Sequence, residues 1–213
     1  MASMDHMTLM SVASSDPQLV TIGAILADAA ASAWWSDCVS FYNLVLTMLK
    51  IHLDKGSYPH SCTALLYVAM IGITRFNMIG FAAELGSQCV EVLDRTRDAF
   101  SSALGYTIYA NLVSHIQIPV GVAVNHLEQA VEFAASAGDR LSVIICFGLS
   151  AQMRFYASEN YADLEAMCQY CCEEVPGWHL DTRGGPLLIS VRQTCRAMAG
   201  KTQTSNPLEL LSD

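Results

Sequence analysis

The sequence contains few charged residues and no concentration of positive charge. Only 15% of the 213 residues are charged, against about 25% in typical soluble domains. Eleven Lys and Arg stand against 20 Asp and Glu, which gives a net charge of −9. Because nucleic-acid binding needs clustered cations to contact phosphates, the composition argues against a nucleic-acid partner. With 53% hydrophobic residues, the chain either buries much of itself or packs on another protein.

Signals for β-structure, membrane spans and targeting are also missing. No Asn-Gly or Asp-Gly hairpin turn and no sustained alternation of β-branched residues occurs. The longest uninterrupted apolar run, residues 64–73, is shorter than the roughly 18 residues of a membrane span. The first residues lack a basic segment followed by an apolar one. These absences predict an all-α, cytoplasmic protein without membrane insertion.

Proline, glycine and capping residues divide the chain into about nine helices. Asp16-Pro17 is a typical helix start, whereas Gly56 and Gly200 are typical helix ends. Gly138-Asp139 ends one helix and caps the next. The predicted helices span 17–33, 37–55, 59–74, 77–95, 98–115, 121–137, 140–157 and 161–174, with a last one opened by Pro186.

The first eight helices fall into four pairs whose starts lie about 40 residues apart, which is the period of a helical-hairpin repeat. Met70 stands where a strict tetratricopeptide unit has glycine, so the repeats are degenerate. We therefore predict an α-α superhelix of about four stacked hairpins and a closing C-terminal helix. This domain is predicted to span 16–200, between disordered ends at 1–15 and 201–213.

Side-chain spacing predicts the faces on which these helices pack. Small residues at matching positions of two helices suggest close crossings: Ala82, Gly86 and Cys89 in one, Ala130, Ala134 and Ala137 in the other. Leu127 and Val131 extend the second set into an apolar stripe, with Glu128 and Glu132 facing water. Another apolar face is formed by Val39, Tyr42, Leu46, Leu49 and Leu53.

Four stretches resemble the helical region that follows the AAA-type ATPase module in multidomain Ser/Thr-kinase-like and hybrid sensor histidine kinases. They are GSYPHSCTALLYVAMIG (56–72), GFAAELGSQCVEVLDR (80–95), EQAVEFAASAGDRLSVIICFG (128–148) and RQTCRAMAGKTQ (192–203). The resemblance implies a tetratricopeptide-like scaffold in signal transduction of the two-component type. Its expected partners are the neighbouring ATPase, GAF and kinase modules.

His126 is the first residue that could carry chemistry, as a phosphoacceptor. A histidine-kinase phosphoacceptor is followed directly by an acid and then by a proline, but Leu127 follows His126 here. A solvated or interface histidine is the preferred interpretation.

Cys168, Cys171 and Cys172 could bind a metal from one helix face. A structural zinc site needs a second ligand pair, and His179 and Cys195 do not supply that spacing. We interpret all eight cysteines as reduced core thiols, typical of an intracellular protein.

The glycine-rich RGGP motif (183–186) lacks the Lys and Ser/Thr of a phosphate-binding loop, so a connecting loop is preferred. Trp34 and Trp35 are expected to divide into one buried and one surface ring. No catalytic residue, cofactor or metal ligand is predicted. Two functions stay open: a non-enzymatic scaffold, or a helical sensor that binds a small apolar molecule between its helices.

Overall fold

The computed structural model of the chain describes residues 14–95, 98–157 and 159–202, and this part contains helices and no strand. The all-α prediction is confirmed. The disordered ends predicted at 1–15 and 201–213 lie almost wholly outside the described residues. The described residues form nine α-helices: α1 (Pro17–Ser36), α2 (Cys38–Lys55), α3 (Ser61–Phe76), α4 (Ile79–Leu93), α5 (Ala99–Ile108), α6 (Val120–Ser136), α7 (Arg140–Tyr156), α8 (Tyr161–Glu174) and α9 (Gly184–Met198).

Local signals set most of these bounds as predicted. The Asp16 carboxylate accepts a hydrogen bond from the Gln18 backbone N–H at 3.0 Å, and Pro17 opens α1. Gly138 has φ +72°. The backbone N–H of Asp139 donates to the Ala134 carbonyl at 2.9 Å. This hydrogen bond completes a Schellman ending of α6, and Asp139 then caps α7.

The helices form two compact units, residues 1–117 and 118–213. In the first unit α3 packs against α2, α4 and α5. Because these three helices surround it, every residue of its first two turns, from Ser61 to Tyr67, is buried. In the second unit α7 packs against α6 and α9, and α9 also packs against α8.

The face that α2 buries differs from the apolar face recognised in its sequence. The core takes Phe41, Val45, Met48 and His52. The predicted stripe points outward instead: Val39, Leu46 and Leu53 are 64%, 57% and 57% exposed. We call these three residues, with the half-buried Tyr42 and Leu49, the outer stripe of α2. Helix α2 has apolar residues on two faces, and the spacing of apolar residues alone does not show which of them is buried.

Five of the six small residues that were expected at close helix crossings are buried. Ala82, Cys89, Ala130 and Ala134 have no exposed surface. A Cβ added to Gly86 would lie 2.8 Å from the Val113 side chain, so a larger residue here would displace that side chain. Ala137 is the exception, because α6 has already ended there and the residue is exposed.

The predicted helix over 98–115 is not regular to its end. After α5 the chain forms a π-helical turn over Tyr109–Val113 and a 3₁₀ turn over Ser114–Ile116. The wide turn brings both Tyr109 and Val113 against Gly86 of α4. Tight packing against α4 thus coincides with the irregular backbone, which no local sequence signal indicated.

Helix α1 is long and apolar enough to cross a membrane by length and composition alone. Its inward face consists only of small residues: Gly23, Ala27, Ala30 and Ala33. A Cβ added to Gly23 would lie 2.7 Å from the Tyr58 ring, so a larger residue here would push that ring aside. A core helix and an N-terminal signal sequence share this composition, so it decides nothing about location. At the end of α1 the ring of Trp34 packs on Phe41 at 5.1 Å but is only half-buried, whereas Trp35 is 67% exposed, so the expected division into one buried and one surface ring holds only for Trp35.

Candidate functional site

An open apolar groove lies within the second unit between α7 and α9. Its volume is about 170 Å³. It is lined by Gln152, Phe155, Tyr156, Leu187, Ser190, Val191 and Thr194. The residues come from two helices that approach closely, so the floor of the groove is fixed by their packing. We call this feature the α7/α9 groove.

The contacts around the α7/α9 groove leave it an apolar surface. The Phe155 ring stacks on Tyr161 with centroids 5.6 Å apart. The Thr194 hydroxyl donates to the Ser190 carbonyl at 2.7 Å and so has a hydrogen-bond partner within its own helix. Tyr156 stands at the edge of the groove and is 66% exposed. A partner entering here would meet aromatic and aliphatic carbon with one prominent tyrosine.

Glycines bring α7 and α9 together beside this groove. A Cβ added to Gly148 would lie 2.6 Å from the Gly184 carbonyl oxygen. A Cβ added to Gly184 would lie 2.3 Å from the Ile144 carbonyl oxygen. The buried Asp181 carboxylate fixes the start of α9 by accepting the Gly184 backbone N–H at 2.6 Å. The predicted start at Pro186 is therefore two residues late, and the two glycines of RGGP (183–186) belong to the helix and serve packing.

A second candidate, buried in the first unit, is a cluster of polar side chains that sequence reasoning did not find. The backbone N–H of Tyr58 donates to Ser61 Oγ at 2.9 Å, and Ser61 Oγ lies 3.1 Å from His52 Nδ1. His60 Nδ1 lies 3.4 Å from Ser101 Oγ. His52 and His60 are only 1% and 2% exposed. These contacts join the segment 56–60 to the starts of α3 and α5.

Burial decides what this cluster can do. It lowers the pKa of both histidines, so each is held as a neutral imidazole. Within the described part of the chain, His52 Nε2 has no hydrogen-bond partner, nor do the hydroxyls of Thr63 and Ser102. Ser61 is 3% exposed, so a serine–histidine pair at hydrogen-bond distance lies where solvent scarcely reaches. Nucleophilic catalysis needs a nucleophile that the substrate can reach as well as a base at hydrogen-bond distance. Because Ser61 is buried, we assign the cluster a structural role.

The cysteine cluster of the second unit is part of a hydrophobic core. Cys168, Cys171 and Cys195 are fully buried beside Leu164 and Leu188. Burial raises the pKa of Cys168 to about 12 and that of Cys171 to about 11. None of the eight cysteines, all of which lie in the described ranges, forms a disulfide, but the expectation of core thiols is wrong for Cys38, which is exposed. In the described ranges, no three His, Cys, Asp or Glu side chains are arranged to hold a metal ion, and His179 is on the surface.

We expect thiol reagents to separate these cysteines in the native protein. Iodoacetamide at pH 8 should modify Cys38 first, because only the thiolate reacts and this side chain is accessible. Raising the pKa of Cys168 from 9.0 to about 12 makes its thiolate fraction about a thousandfold smaller. Peptide mapping by mass spectrometry measures the order of modification. Equal rates at Cys38 and Cys168 would contradict the buried core, and the same reaction in denaturant provides the control.

His126 lies half-buried on α6, with Nδ1 3.4 Å from the Gln129 side-chain oxygen. This surface position agrees with the solvated or interface histidine preferred from the sequence. Its neighbour Leu127 is fully buried, and the nearby Glu128 pairs with Arg154 of α7. Glu128, two residues after His126, is therefore engaged in an ion pair between α6 and α7.

The sequence did not reveal several of these residues, and the reason is the same for all of them. Tyr156, Thr194 and the buried pair of His52 and Ser61 come from segments that are not neighbours in sequence or that lack a known motif. The one local signal was the polar segment SYPHS (57–61) between two apolar helices. The buried Ser57, Tyr58 and His60 show that this connection lies in the core.

Comparison with known proteins gives no identification. No protein family matches the chain, and neither a curated protein nor a solved structure matches it.

Proposed function

We propose that the chain is a non-catalytic helical scaffold that acts through protein–protein contacts, in a signalling protein of the sensor histidine kinase type. The α7/α9 groove carries this proposal, since it is an open apolar surface on a folded helical unit. Its exposed lining, with the protruding Tyr156, is the part of this groove that a protein partner would contact. The link to ATPase, GAF and kinase modules follows from the sequence resemblance.

The size of the α7/α9 groove supports one of the two functions that the sequence left open over the other. Small-molecule sites occupy roughly 300–1,000 Å³ and enclose most of their ligand. A groove of about 170 Å³ that is open to solvent suits one or two protruding side chains. This favours a protein partner over a small apolar ligand.

The helical-repeat arrangement is part of the proposal. The predicted pairs α1/α2, α3/α4 and α7/α8 are each in contact. In the second unit, however, α9 packs on both α7 and α8. We propose that the hairpins are degenerate tetratricopeptide-like units and that α9 closes the array by covering the last hairpin.

The test measures binding of the purified chain to purified ATPase, GAF and histidine-kinase modules of a kinase from the resembled family. Titration calorimetry should show saturable binding to at least one module. The Tyr156→Ala variant should lower that affinity at least about tenfold, because exposed tyrosines at an interface often dominate its energy. Tyr170→Ala is the matched control, since this tyrosine is similarly exposed on α8 and does not line the groove.

Two results would contradict the proposal. One is the failure of every module to bind. The other is binding that Tyr156→Ala leaves unchanged, which would remove the groove from the interface.

A further inference from the structure

The connection between α2 and α3 attaches α1 to the rest of the first unit. A Cβ added to Gly23 of α1 would lie 2.7 Å from the Tyr58 ring and 3.4 Å from the His60 ring, so both rings lie against this helix. The Ser57 carbonyl accepts a hydrogen bond from the Ser14 backbone N–H, just before α1, at 2.8 Å. Ser57, Tyr58 and His60 are all buried. We call these three residues the α1 attachment site.

Helix α1 gains less from packing than its neighbours in the first unit. Its buried residues are all small: Gly23, Ala27, Ala30 and Ala33. Helices α2 and α4 bury large side chains instead, including Met48 and Leu85. Small side chains remove little apolar area from water, and segments with little buried apolar area open first in a native protein. Helix α1 is therefore the part of this unit that detaches most easily.

His52 connects the α1 attachment site to the interior through Ser61. The Ser61 hydroxyl, which accepts the Tyr58 backbone N–H, is the polar group facing His52, and burial of the ring lowers the pKa of His52. Protonation would place an N–H and a positive charge on a ring whose Nε2 has no hydrogen-bond partner in the described part of the chain. Because a buried, unpartnered cation is strongly unfavourable, protonation favours an opening that lets water reach the ring.

His60 differs from His52 because acidic groups act on it. Its Nδ1 lies 3.4 Å from Ser101 Oγ of α5. Burial lowers the pKa of His60, while Asp98 at the start of α5 and Asp28 of α1 act in the opposite direction. A protonated His60 is thus partly compensated as long as α1 stays in place. His52 is the stronger of the two triggers.

We infer that acid releases α1 from the first unit, because protonation of His52, assisted by His60, opens the α1 attachment site while α2 to α5 stay packed. The folded protein holds both rings neutral, whereas in the open state they meet water and regain their ordinary pKa of 6.5. The open state then binds more protons, so its population rises as the pH falls below 6.5. Each histidine raises it by at most about tenfold per pH unit. This inference is independent of the α7/α9 groove.

Thiol labelling of the Ala27→Cys variant measures the release of α1, since Ala27 has no exposed surface. The reagent is dithiodipyridine, an aromatic disulfide. The cysteine thiol attacks its S–S bond, a mixed disulfide forms, and one pyridine thiol leaves with the proton. The rate at the exposed Cys38 of the same chain corrects for thiol ionisation. The ratio of the two rates should rise more than about tenfold from about pH 7.5 to about pH 5.5.

Controls in the same experiment separate release of α1 from wider unfolding. Cys89 of α4 has no exposed surface and should react at least about tenfold more slowly than Ala27→Cys at every pH. Adding His52→Gln should leave only the smaller increase that His60 contributes, below about tenfold. Adding His115→Gln, at an exposed position of this unit, should keep the whole increase. A ratio that does not change with pH, or equal rates at Cys89 and Ala27→Cys, overturns the inference.

Hydrogen exchange of the unsubstituted chain is the second measurement, since it needs no change in α1. After correction for the intrinsic exchange rate at each pH, the α1 amides should be less protected than those of α4 throughout. Their protection should fall more than about tenfold from about pH 7.5 to about pH 5.5. Equal protection of α1 and α4, or protection of α1 that does not depend on pH, would show that the histidines do not control this helix.

Discussion

Replacing Gly184 by alanine should destabilise the second unit by about 3 kcal/mol, at the upper end of ordinary overpacking. The added Cβ would lie 2.3 Å from the Ile144 carbonyl oxygen and 2.7 Å from the Ile145 Cα. Both are backbone atoms of α7, so no side-chain rotation relieves the contact. The two helices must separate, and the α7/α9 groove would lose its fixed floor.

Thermal unfolding followed by circular dichroism measures the effect of Gly184→Ala. The midpoint should fall by more than about 10 °C for a unit of this size. Hydrogen exchange should show the lost protection in α7 and α9, rather than in the first unit. An unchanged midpoint would contradict the close approach of these helices.

Gly121→Ala is the matched control for Gly184→Ala. Gly121 lies in α6 of the same unit, and a Cβ there would come no closer than 3.9 Å to Ala157. Alanine favours a helix over glycine by about 0.5–1 kcal/mol. Gly121→Ala should therefore be neutral or slightly stabilising. Opposite signs from the same chemical change would show that packing, rather than loss of glycine itself, causes the effect.

Mild acid should destabilise the first unit through its two buried histidines. Burial lowers the pKa of His52 and His60 from 6.5 in the folded protein. Asp98 and Asp28 partly oppose this at His60. The unfolded chain then binds more protons than the folded one, so stability is complete above pH 6.5 and is lost as the pH falls below it.

The slope of the free energy of unfolding against pH is the quantity to measure. Each histidine contributes up to about 1.4 kcal/mol per pH unit between its folded and unfolded pKa values, so two contribute up to about 2.7. Urea unfolding at several pH values between 7.5 and 5 gives the free energy of unfolding. The His52→Gln variant should lose about half of the slope, whatever its stability at pH 7.5.

His115→Gln is the control for the pH dependence, since His115 is exposed in the same unit. This variant should keep the full slope. A chain whose unfolding free energy does not change between pH 7 and pH 5.5 would show that His52 and His60 are protonated, or accessible, in the folded state.

The ends of helices were the most predictable part of this structure. Gly56, Gly138 and Gly200 have positive φ angles at or just after helix ends, as their positions in the sequence suggested. Asp16 and Asp139 cap the helices that follow them. These features depend on hydrogen bonds within a few residues, so a short window of sequence contains the information that determines them.

The candidate site was less predictable because its residues meet only in the folded chain. The sequence analysis treated RGGP as a loop, yet Gly184 and Gly185 are buried in the first turn of α9. Nothing local distinguishes a glycine needed for a turn from one needed for a helix crossing. The α7/α9 groove exists because α7 and α9 cross closely at Gly148 and Gly184, and only the folded chain brings these two glycines together.

The sequence by itself determined an all-α chain, the approximate bounds of nine helices in its described part, and the caps that separate them. Only the tertiary structure decided which side of α2 faces the core, that two histidines lie inside the first unit, and where α7 meets α9. The physical reason is that helix formation is governed by neighbours along the chain, whereas burial is a competition among all apolar faces. In α2 two such faces competed, and the outer stripe is the one left in water.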